Sequence, residues 1–419
     1  MPVELTEADR SRLNGDQGDA DALAMRILVE TAGVMGAERL IDVASAHVDG
    51  CLYHGPAGLE FAERLVAGGA SVSVPTTLNV SSLDLLHPER PPGDPASAAN
   101  ARRQMDLYVA MSCRPTWTCA PYQLPGRPAF GQHVAWAESN AIVFCNSVLG
   151  ARTNRYGDFI DICAAIAGRG PLAGLHLDEE RLARLVLRLD GVAPRLLASD
   201  ALYPVLGYVL GQEAGTAVAA IAGLPGDTDE DRLKAIGAAA ASSGSVAMFH
   251  GVGITPEAPT LEAATGGADV SELLVTTERL RAARDELGTA TGDALGAVSV
   301  GTPHASLAEL ERLAGLVAER RPVVPFYVNT ARDVLAEAEG RGWFAALPAA
   351  GVEFVTDTCT YLSPIIQAGP GPVMTDSGKW AWYAPANLGV DVVIGGLEEC
   401  VAAAAAGHVV RDESLWADG

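Results

Sequence analysis

The most constraining feature of this sequence is the alternation of short apolar runs with helical patterns along its second half. The runs are continuously apolar, which is typical of strands buried on both faces. They are SVAMF at 245–249, AVSV at 297–300, VVPFYV at 323–328, VEFV at 352–355 and VVI at 392–394. Helical patterns follow three of these runs, at 306–319, 330–339 and 397–406. This rhythm predicts an α/β fold with mainly parallel sheets.

The first half of the chain continues the pattern less regularly. It predicts helices at 19–34 and 58–66 and strands at 40–43 and 72–74. A Gly- and Ala-rich segment begins near residue 195, and we place a boundary there. The prediction is an N-terminal α/β region, 1–200, and a C-terminal α/β region, 201–419, with a further division into three left open.

Charge and composition exclude several classes of function. The chain has 52 Asp and Glu against 29 Lys and Arg, a formal charge of −23. Such an acidic protein is repelled by nucleic acid and by anionic membrane surfaces. Its 49% apolar residues are enough for a globular fold. The N-terminus lacks the basic start and apolar run of a secretory signal, so we expect a cytoplasmic protein.

Seven cysteines in 419 residues are too sparse for a disulfide scaffold. Each thiol is therefore a small core residue, a metal ligand or a nucleophile. The core role explains most of them. It is least convincing for Cys119 and Cys359, because both lie in polar loop sequences.

Polar residues follow the predicted strands at the point where each strand ends. His304 comes shortly after AVSV, Asn329 directly follows VVPFYV, and Cys359 lies in TDTC after VEFV. Ligands of parallel sheets bind beyond the carboxyl ends of the strands, so these side chains are predicted to share one rim. Helix capping is an alternative role for Asn329, but it explains Cys359 poorly.

A second concentration of polar residues lies at 111–161. Its hydrogen-bonding and charged side chains are Glu138, Ser139, Asn140, Asn146, Arg152, Asn154, Arg155 and Asp158. Such density within an apolar stretch indicates a site or an interface. Arg152 and Arg155 either bind a carboxylate in bidentate geometry or form structural ion pairs with nearby aspartates.

Two further segments offer single candidates. Lys379 follows Ser-Gly but lacks the first glycine of a phosphate-binding loop, so it is either an anion contact or an exposed lysine. His54 ends a glycine-rich turn, where it either faces a substrate or has a structural role.

Several long motifs, in the same order, resemble the large catalytic portion of the aconitase X family over nearly the whole chain. They are DGCLYHGPAGLEFAERL, VPTTLNVSSLD, TCAPYQ, HVAWAESNAIVFCNSVLGARTNRYGD, GTPHASLAEL, TDTC and SGKWAWYAP. The resemblance implies an aconitase-like fold with several α/β/α layers around a central cleft.

The resemblance also implies an iron centre whose Lewis acidity helps a hydroxyl group to leave. The cofactor expected is an iron–sulfur cluster, 2Fe-2S favoured, or mononuclear iron. The matching ligands are Cys119 and Cys359, with Cys163 as the third and Cys113 in reserve. A catalytic serine is expected on a separate small swivelling subunit.

Two branches of the family dehydrate either cis-3-hydroxy-L-proline, giving Δ1-pyrroline-2-carboxylate, or mevalonate 5-phosphate. RPTWTCAPYQ and NRYGDF resemble the first branch, and Thr302 stands where the archaeal type usually has cysteine. The implied acid and base candidates are His304 and Glu138, beside the partner's serine. The implied substrate contacts are Arg155, Lys379, Asn140, Ser139 and His54.

Two other functions stay open. A thiol hydrolase would pair Cys119 or Cys359 with His304 and would work without metal. A non-catalytic acidic scaffold would keep the fold with a degraded site.

Overall fold

The protein is described from a computed structural model, which covers residues 3–90, 93–290 and 292–417. It packs as two compact units. Unit 1 consists of Met1–Leu83 and Pro92–Leu182, and unit 2 of Asp84–Pro91 and Ala183–Gly419. The division at residue 200 stays a prediction.

Unit 1 combines helices with short strands. Its elements are α1 (Glu7–Leu13), α2 (Asp19–Val34), β1 (Leu40–Asp42), β2 (Ala46–Val48), α3 (Pro56–Ala67), β3 (Thr76–Leu78), α4 (Pro95–Ala110), β4 (Ala135–Trp136), α5 (Ser139–Ser147), α6 (Ile160–Ala167) and β5 (Arg169–Pro171). Strands β3, β2 and β4 form a parallel sheet in that order, and β1 pairs antiparallel with β5.

The strand predicted at 72–74 is wrong. The amides of Val72 and Ser73 donate to the carbonyls of Met111 and Ala165, both at 2.9 Å, and neither acceptor lies in a strand. The chain joins the sheet only after Pro75, where Thr76 pairs with Ala46 of β2. An apolar alternation cannot show which neighbour will satisfy the backbone.

Unit 2 follows the predicted βαβ rhythm. Its elements are β6 (Leu185–Gly191), α7 (Pro194–Leu197), α8 (Leu202–Ala214), β7 (Ala219–Ala222), α9 (Glu230–Gly244), β8 (Phe249–Gly251), α10 (Leu261–Thr265), β9 (Ser271–Thr276), α11 (Thr277–Leu287), β10 (Ala297–Ala305), α12 (Leu307–Glu319), β11 (Phe326–Thr330), α13 (Arg332–Gly340), α14 (Ala346–Ala350), β12 (Val352–Val355), β13 (Val373–Thr375), α15 (Gly378–Leu388), β14 (Val392–Ile394) and α16 (Leu397–Ala406).

Two parallel sheets organise unit 2, with strand orders β8-β7-β6-β9 and β12-β11-β10-β13-β14. In the five-stranded sheet the chain moves from β10 outward to β12, then crosses to β13 and β14 on the other side. Its switch point therefore lies between β10 and β13, where α/β proteins commonly bind ligands. A core of buried aliphatic and aromatic side chains packs on this sheet, including Val298, Phe326 and Val328.

Strand β10 is longer than the predicted AVSV run and irregular near its end. Its pairing with β11 shifts register between Val300 and Ala305. Gly301 makes this bend possible, because its φ is +77° and a β-carbon there would lie 2.4 Å from the carbonyl oxygen of Asn329. Helix α12 then begins after Ser306, whose hydroxyl accepts from the Glu309 amide at 3.1 Å in a capping box.

Among the described residues, we find no helix that combines the length and apolarity a bilayer span requires.

Candidate functional site

Cys359 lies in the loop that follows β12, at the carboxyl edge of the five-stranded sheet, and is 1% exposed. Side chains from unit 2 hold the residues before it. Asp84 accepts from the Thr356 amide at 3.3 Å and from its hydroxyl at 3.0 Å. Asp357 accepts from Arg332 at 2.7 Å and from the Leu85 amide at 3.1 Å. The loop is therefore fixed before any ligand binds.

The two aspartates differ in electrostatic setting. Burial alone would raise the pKa of Asp84, but contacts with His87, Arg90 and the Thr356 amide outweigh it and lower that pKa. Burial raises the pKa of Asp357, and the Arg332 guanidinium offsets this only in part. Asp357 also has a positive φ of 63°. Strained backbone of this kind persists where surrounding contacts impose it, often at functional sites.

His304 lies near the end of β10 and is fully buried beside this loop. Its Nε2 lies 3.1 Å from the Thr358 carbonyl oxygen. A carbonyl only accepts, so Nε2 carries the proton and a neutral ring has its lone pair at Nδ1. The ligand atoms of His304 and Cys359 lie within 4.8 Å of each other. With Asn329 on β11, these residues occupy the same sheet edge, as the sequence predicted.

The pair fits a metal ion in its donor chemistry. Imidazole and thiolate are both ligands of iron, and ligating histidines usually donate their other N–H to a carbonyl or carboxylate. Thr302, two residues before His304, has a buried hydroxyl without a hydrogen-bond partner among the described residues. That hydroxyl is available for a hydrogen bond to a water molecule or a bound group.

Lys379 lies in the first turn of α15 and is 3% exposed, so the expectation of an exposed lysine is not met. Its ammonium group is 6.0 Å from the centre of the Tyr361 ring. A cation at a helix N-terminus is disfavoured by the helix dipole and by burial. The ammonium group and the N-terminus of α15 both favour a negatively charged group nearby.

Unit 2 also contains a cavity of about 160 Å³ at the carboxyl edge of the five-stranded sheet. Residues after three of the strands line it, namely Glu309 after β10, Asp376 after β13 and Gly396 after β14. Burial raises the pKa of Asp376 to about 6 and that of Glu309 to about 7. The cavity thus occupies the switch-point crevice and holds carboxyl groups that titrate near neutrality.

In unit 1, Cys119 lies in a loop beside β3 and is 3% exposed. The preceding amide, of Thr118, donates to the Leu78 carbonyl at 3.2 Å. Asn140, in the first turn of α5, donates to the Cys119 carbonyl and to the Tyr122 hydroxyl, both at 2.9 Å. The side-chain oxygen of Asn140, Oδ1, is buried without a hydrogen-bond partner among the described residues. Asn140 thus orients the Cys119 loop and keeps one acceptor unused.

Glu138 lies two residues after the end of β4, has a positive φ of 72° and caps α5. Its carboxylate accepts from the Ala141 amide at 2.8 Å and from the Ser139 hydroxyl at 3.1 Å. Glu138 and Asn140 therefore lie at the carboxyl edge of the β3-β2-β4 sheet, in the position that a ligand-binding residue of a parallel sheet would occupy.

Cys163 is fully buried in α6. Burial raises the pKa of its thiol and raises that of Cys113 to about 12. In the part of the chain that the structure describes, Cys163 joins no group of three His, Cys, Asp or Glu side chains with mutually close ligand atoms. The surroundings of Cys163 favour a core role, and its assignment as a ligand stays a prediction.

The two arginines of the NRYGD region differ. Arg152 pairs with Asp178 and donates to the His176 carbonyl at 2.9 Å, so its role is structural. Arg155 is exposed. Asp161 accepts from backbone amides, including that of Asp49 at 2.7 Å.

His54 is exposed on the wall of a cavity in unit 1 of about 240 Å³. The first residues of α3, with Gln104 and Asp158, complete this wall. Gly50 also lines this cavity, and a β-carbon at that position would lie 2.4 Å from the carbonyl oxygen of Asp158. The glycine-rich turn thus borders an open pocket with His54 on its wall.

Sequence reasoning missed Asp84, Arg332 and Thr360. The first two support the Cys359 loop from positions 275 and 27 residues earlier in the chain, and neither lies in a motif that suggests this role. Thr360 follows the cysteine directly, but only its contacts show its importance.

Known proteins match the chain throughout. Residues 2–179 match the aconitase X first domain, 183–285 the second domain and 295–406 the third. Cis-3-hydroxy-L-proline dehydratase of Pseudomonas aeruginosa is 46% identical over 98% of this chain and 72% of its own length. The protein of that name from Hypocrea jecorina is 41% identical over 97% of this chain and 70% of its own.

The phosphomevalonate dehydratase large subunit of Methanothermobacter thermautotrophicus is 39% identical over 93% of this chain and 96% of its own length. The crystal structure of Thermococcus kodakaraensis aconitase X in its holo form superposes with a TM-score of 0.85 at 34% identity, covering 95% of this chain and 99% of that one. From three matched domains and these identities, the chain belongs to the aconitase X family of dehydratases, which are hydro-lyases.

Proposed function

We propose that this chain dehydrates cis-3-hydroxy-L-proline to Δ1-pyrroline-2-carboxylate with an iron or iron–sulfur centre. The observation that carries the proposal is the identity of 46% over 98% of the chain to a relative of that name. The buried Cys359–His304 pair supports it, since it places a thiolate, a ligand type of iron, beside an imidazole that can accept a proton.

The reaction requires two bond changes. The carbon that bears the carboxylate loses its proton, and the hydroxyl group of the neighbouring carbon leaves as water. The resulting enamine then tautomerises to the imine. When bound, iron would supply the Lewis acidity that stabilises the departing oxygen.

Metal binding is assigned to thiolates. Cys359 is the ligand with the best local support, because the chain fixes its loop and sets His304 beside it. Cys119 and Cys163 are proposed as the other ligands on the sequence resemblance. A cluster of the 2Fe-2S type is favoured over mononuclear iron on the same ground.

Proton transfer is assigned to His304, whose lone pair is at Nδ1 because Nε2 donates to Thr358. Glu138 is the second acid or base candidate. Its capping bonds to Ala141 and Ser139 hold the carboxylate in one orientation.

Substrate binding is assigned to cations and amide groups. Lys379 and Arg155 are proposed to hold the carboxylate, and the burial of Lys379 at a helix N-terminus supports its role. Asn140 would accept from the ring nitrogen or hydroxyl through its unused oxygen. Ser139 and His54 are proposed as further contacts.

A small subunit is proposed to act with this chain. The phosphomevalonate dehydratase relative that carries the name large subunit is matched over 96% of its length. We expect that turnover requires addition of the small subunit, whereas iron binding does not.

Phosphomevalonate dehydration is the second candidate, because the chain is 39% identical to that large subunit. Thr302 counts against it, since the archaeal type usually has cysteine there.

The test uses protein purified without oxygen, with and without a co-expressed small subunit. Iron and acid-labile sulfide are measured, and both substrates are assayed. Iron with turnover of cis-3-hydroxy-L-proline supports the proposal. Iron with turnover of phosphomevalonate alone selects the second candidate. Absence of both iron and turnover contradicts the proposal and favours the thiol-hydrolase or the scaffold function instead.

A further inference from the structure

The residue after Cys359 is the centre of a buried hydrogen-bond network. Thr360 is fully buried, and its hydroxyl oxygen contacts side chains from three elements. The distances are 2.7 Å to the Ser299 hydroxyl of β10, 3.2 Å to the Asn329 amide nitrogen of β11 and 2.9 Å to the Trp380 indole nitrogen of α15.

The chemistry of these groups fixes the direction of every bond. The indole N–H of Trp380 and the amide N–H of Asn329 only donate, so they fill both lone pairs of the Thr360 oxygen. The Thr360 hydrogen must then go to the Ser299 oxygen. The Thr360 hydroxyl thus uses its one hydrogen and both of its lone pairs. Its three hydrogen bonds link the residue after Cys359 to β10, β11 and α15 at once.

The side-chain amide of Asn329 likewise has hydrogen bonds at both of its hydrogens and at its oxygen. Its two amide hydrogens go to the Val300 carbonyl at 2.9 Å and to Thr360, and its oxygen accepts from the Thr360 amide at 2.9 Å. The amide and the hydroxyl of Thr360 are thus both fixed. The peptide that carries Cys359 cannot rotate without breaking one of these buried bonds.

The network also reaches the other proposed site residues of unit 2. Trp380 is adjacent to Lys379, the proposed carboxylate contact. Ser299 lies on β10, the strand that carries His304. His304 in turn contacts the carbonyl of Thr358, the residue before Cys359, whereas Thr360 is the residue after it. One hydroxyl group therefore joins the elements that bear the thiol, the imidazole and the ammonium.

We infer that Thr360 is a positioning residue, which sets the spacing between Cys359, His304 and Lys379 so that metal and substrate carboxylate are held together. This inference rests on the proposed function, in which Cys359 binds the metal. Thr360 itself touches neither metal nor substrate.

Thr360→Val tests this directly, because it removes the hydroxyl while keeping the size of the side chain. Co²⁺ is the probe, since a cobalt–thiolate bond gives a charge-transfer absorption band. We expect Thr360→Val to weaken Co²⁺ binding about 10–100-fold and to shift that band, the usual effect of losing a group that orients a ligand. Thr360→Ser keeps the hydroxyl and should restore both.

Thr330→Val is the matched control. Its hydroxyl is equally buried, lies on β11 and donates to the Ala305 carbonyl at 2.9 Å, but it has no bond to the Cys359 loop. A purely structural role for Thr360 predicts that both valine variants lower the melting temperature and leave the cobalt band unchanged. That result would overturn the inference.

If Thr360→Val does not fold, Trp380→Phe is the alternative test. It removes the indole N–H that donates to Thr360 and leaves the Thr360 hydroxyl in place. A shifted band in Trp380→Phe supports the inference, and an unchanged band contradicts it. The wild-type protein separates the two proposals. If wild type binds no Co²⁺, the metal site itself fails and the role of Thr360 fails with it, whereas wild-type binding with unaffected variants removes only Thr360.

Discussion

Cys359 differs from Cys400, the other cysteine of unit 2, in its surroundings. Cys400 lies in α16 within the apolar core, and burial raises the pKa of its thiol well above the usual value. Cys359 instead has a histidine whose ligand atom lies within 4.8 Å and a loop held by two aspartates. Burial alone does not separate the two cysteines, but their neighbours do.

Cys359→Ser should therefore abolish iron binding and dehydratase activity while the fold persists, because a hydroxyl is a poor substitute for thiolate. Iron content, activity and circular dichroism measure this. The matched control is Cys400→Ser, which should keep iron and lose only stability. Full activity in Cys359→Ser would refute the metal assignment.

His304→Gln tests whether His304 acts as a general base or as a metal ligand. We expect iron to be retained and kcat to fall about 100-fold or more, as for loss of a general base. Metal analysis and steady-state kinetics, both on the same preparation, provide the measurement. Loss of iron in this variant would instead make His304 a metal ligand.

Helices α9 and α12 are joined by a buried charge cluster. Lys234 is 3% exposed, and its ammonium lies 2.9 Å from Asp231 and in contact with Glu309. Glu309 also completes the capping box of α12 by accepting from the Ser306 amide at 2.8 Å. The start of α12, directly after the strand that carries His304, thus depends on a lysine of another helix.

Lys234→Met should lower the free energy of unfolding by about 1 kcal/mol or more, because the partly buried Asp231 and Glu309 carboxyl groups lose the cation that they share. Urea unfolding at pH 7 measures this. The double variant Lys234→Met/Asp231→Asn should recover part of the loss. Equal stability of the wild type and Lys234→Met would show that the cluster contributes nothing.

Asp376, directly after β13, should make stability depend on pH. Its pKa in the folded protein is about 6, above the ordinary 3.8, because burial disfavours the charged carboxylate. The folded state therefore binds this proton more tightly, and the stabilisation present below pH 4 is lost as pH rises through about 6.

Position 376 of Asp376→Asn does not titrate, so the free energy of unfolding of this variant relative to wild type should rise by about 2 kcal/mol between pH 4 and pH 7. Urea unfolding at both pH values measures the difference. Asp391→Asn removes an exposed carboxyl of the same sheet and is the control. A constant difference between Asp376→Asn and wild type across this range would contradict the shifted pKa.

Removal of the proposed metal should lower the thermal stability of the whole protein. A ligand that binds only the folded state stabilises it, by about 2.7 kcal/mol at a hundred times its dissociation constant. Chelation should therefore lower the melting temperature, and anaerobic Fe²⁺ should restore it. Cys359→Ser should melt at the same temperature with and without Fe²⁺. If chelation leaves the melting temperature of the wild type unchanged, the protein has no tightly bound metal.

The sequence by itself determined the fold class and the positions of many elements. The α2 helix and strands β12 and β14 coincide with the predicted bounds, since their periodicity and length are local properties. The long motifs, with the rule that ligands gather beyond strand ends, also brought out His304, Asn329 and Cys359 before any contact was known.

Only the tertiary structure decided which of these residues act together. It showed that Lys379 is buried, that Arg152 pairs with Asp178, and that Thr360 binds three elements at once. The physical reason is that hydrogen bonds and desolvation depend on neighbours far away along the chain, whereas periodicity and capping depend on residues a few positions apart. The strand misplaced at 72–74 failed for the same reason, because its backbone partners, Met111 and Ala165, are distant in sequence.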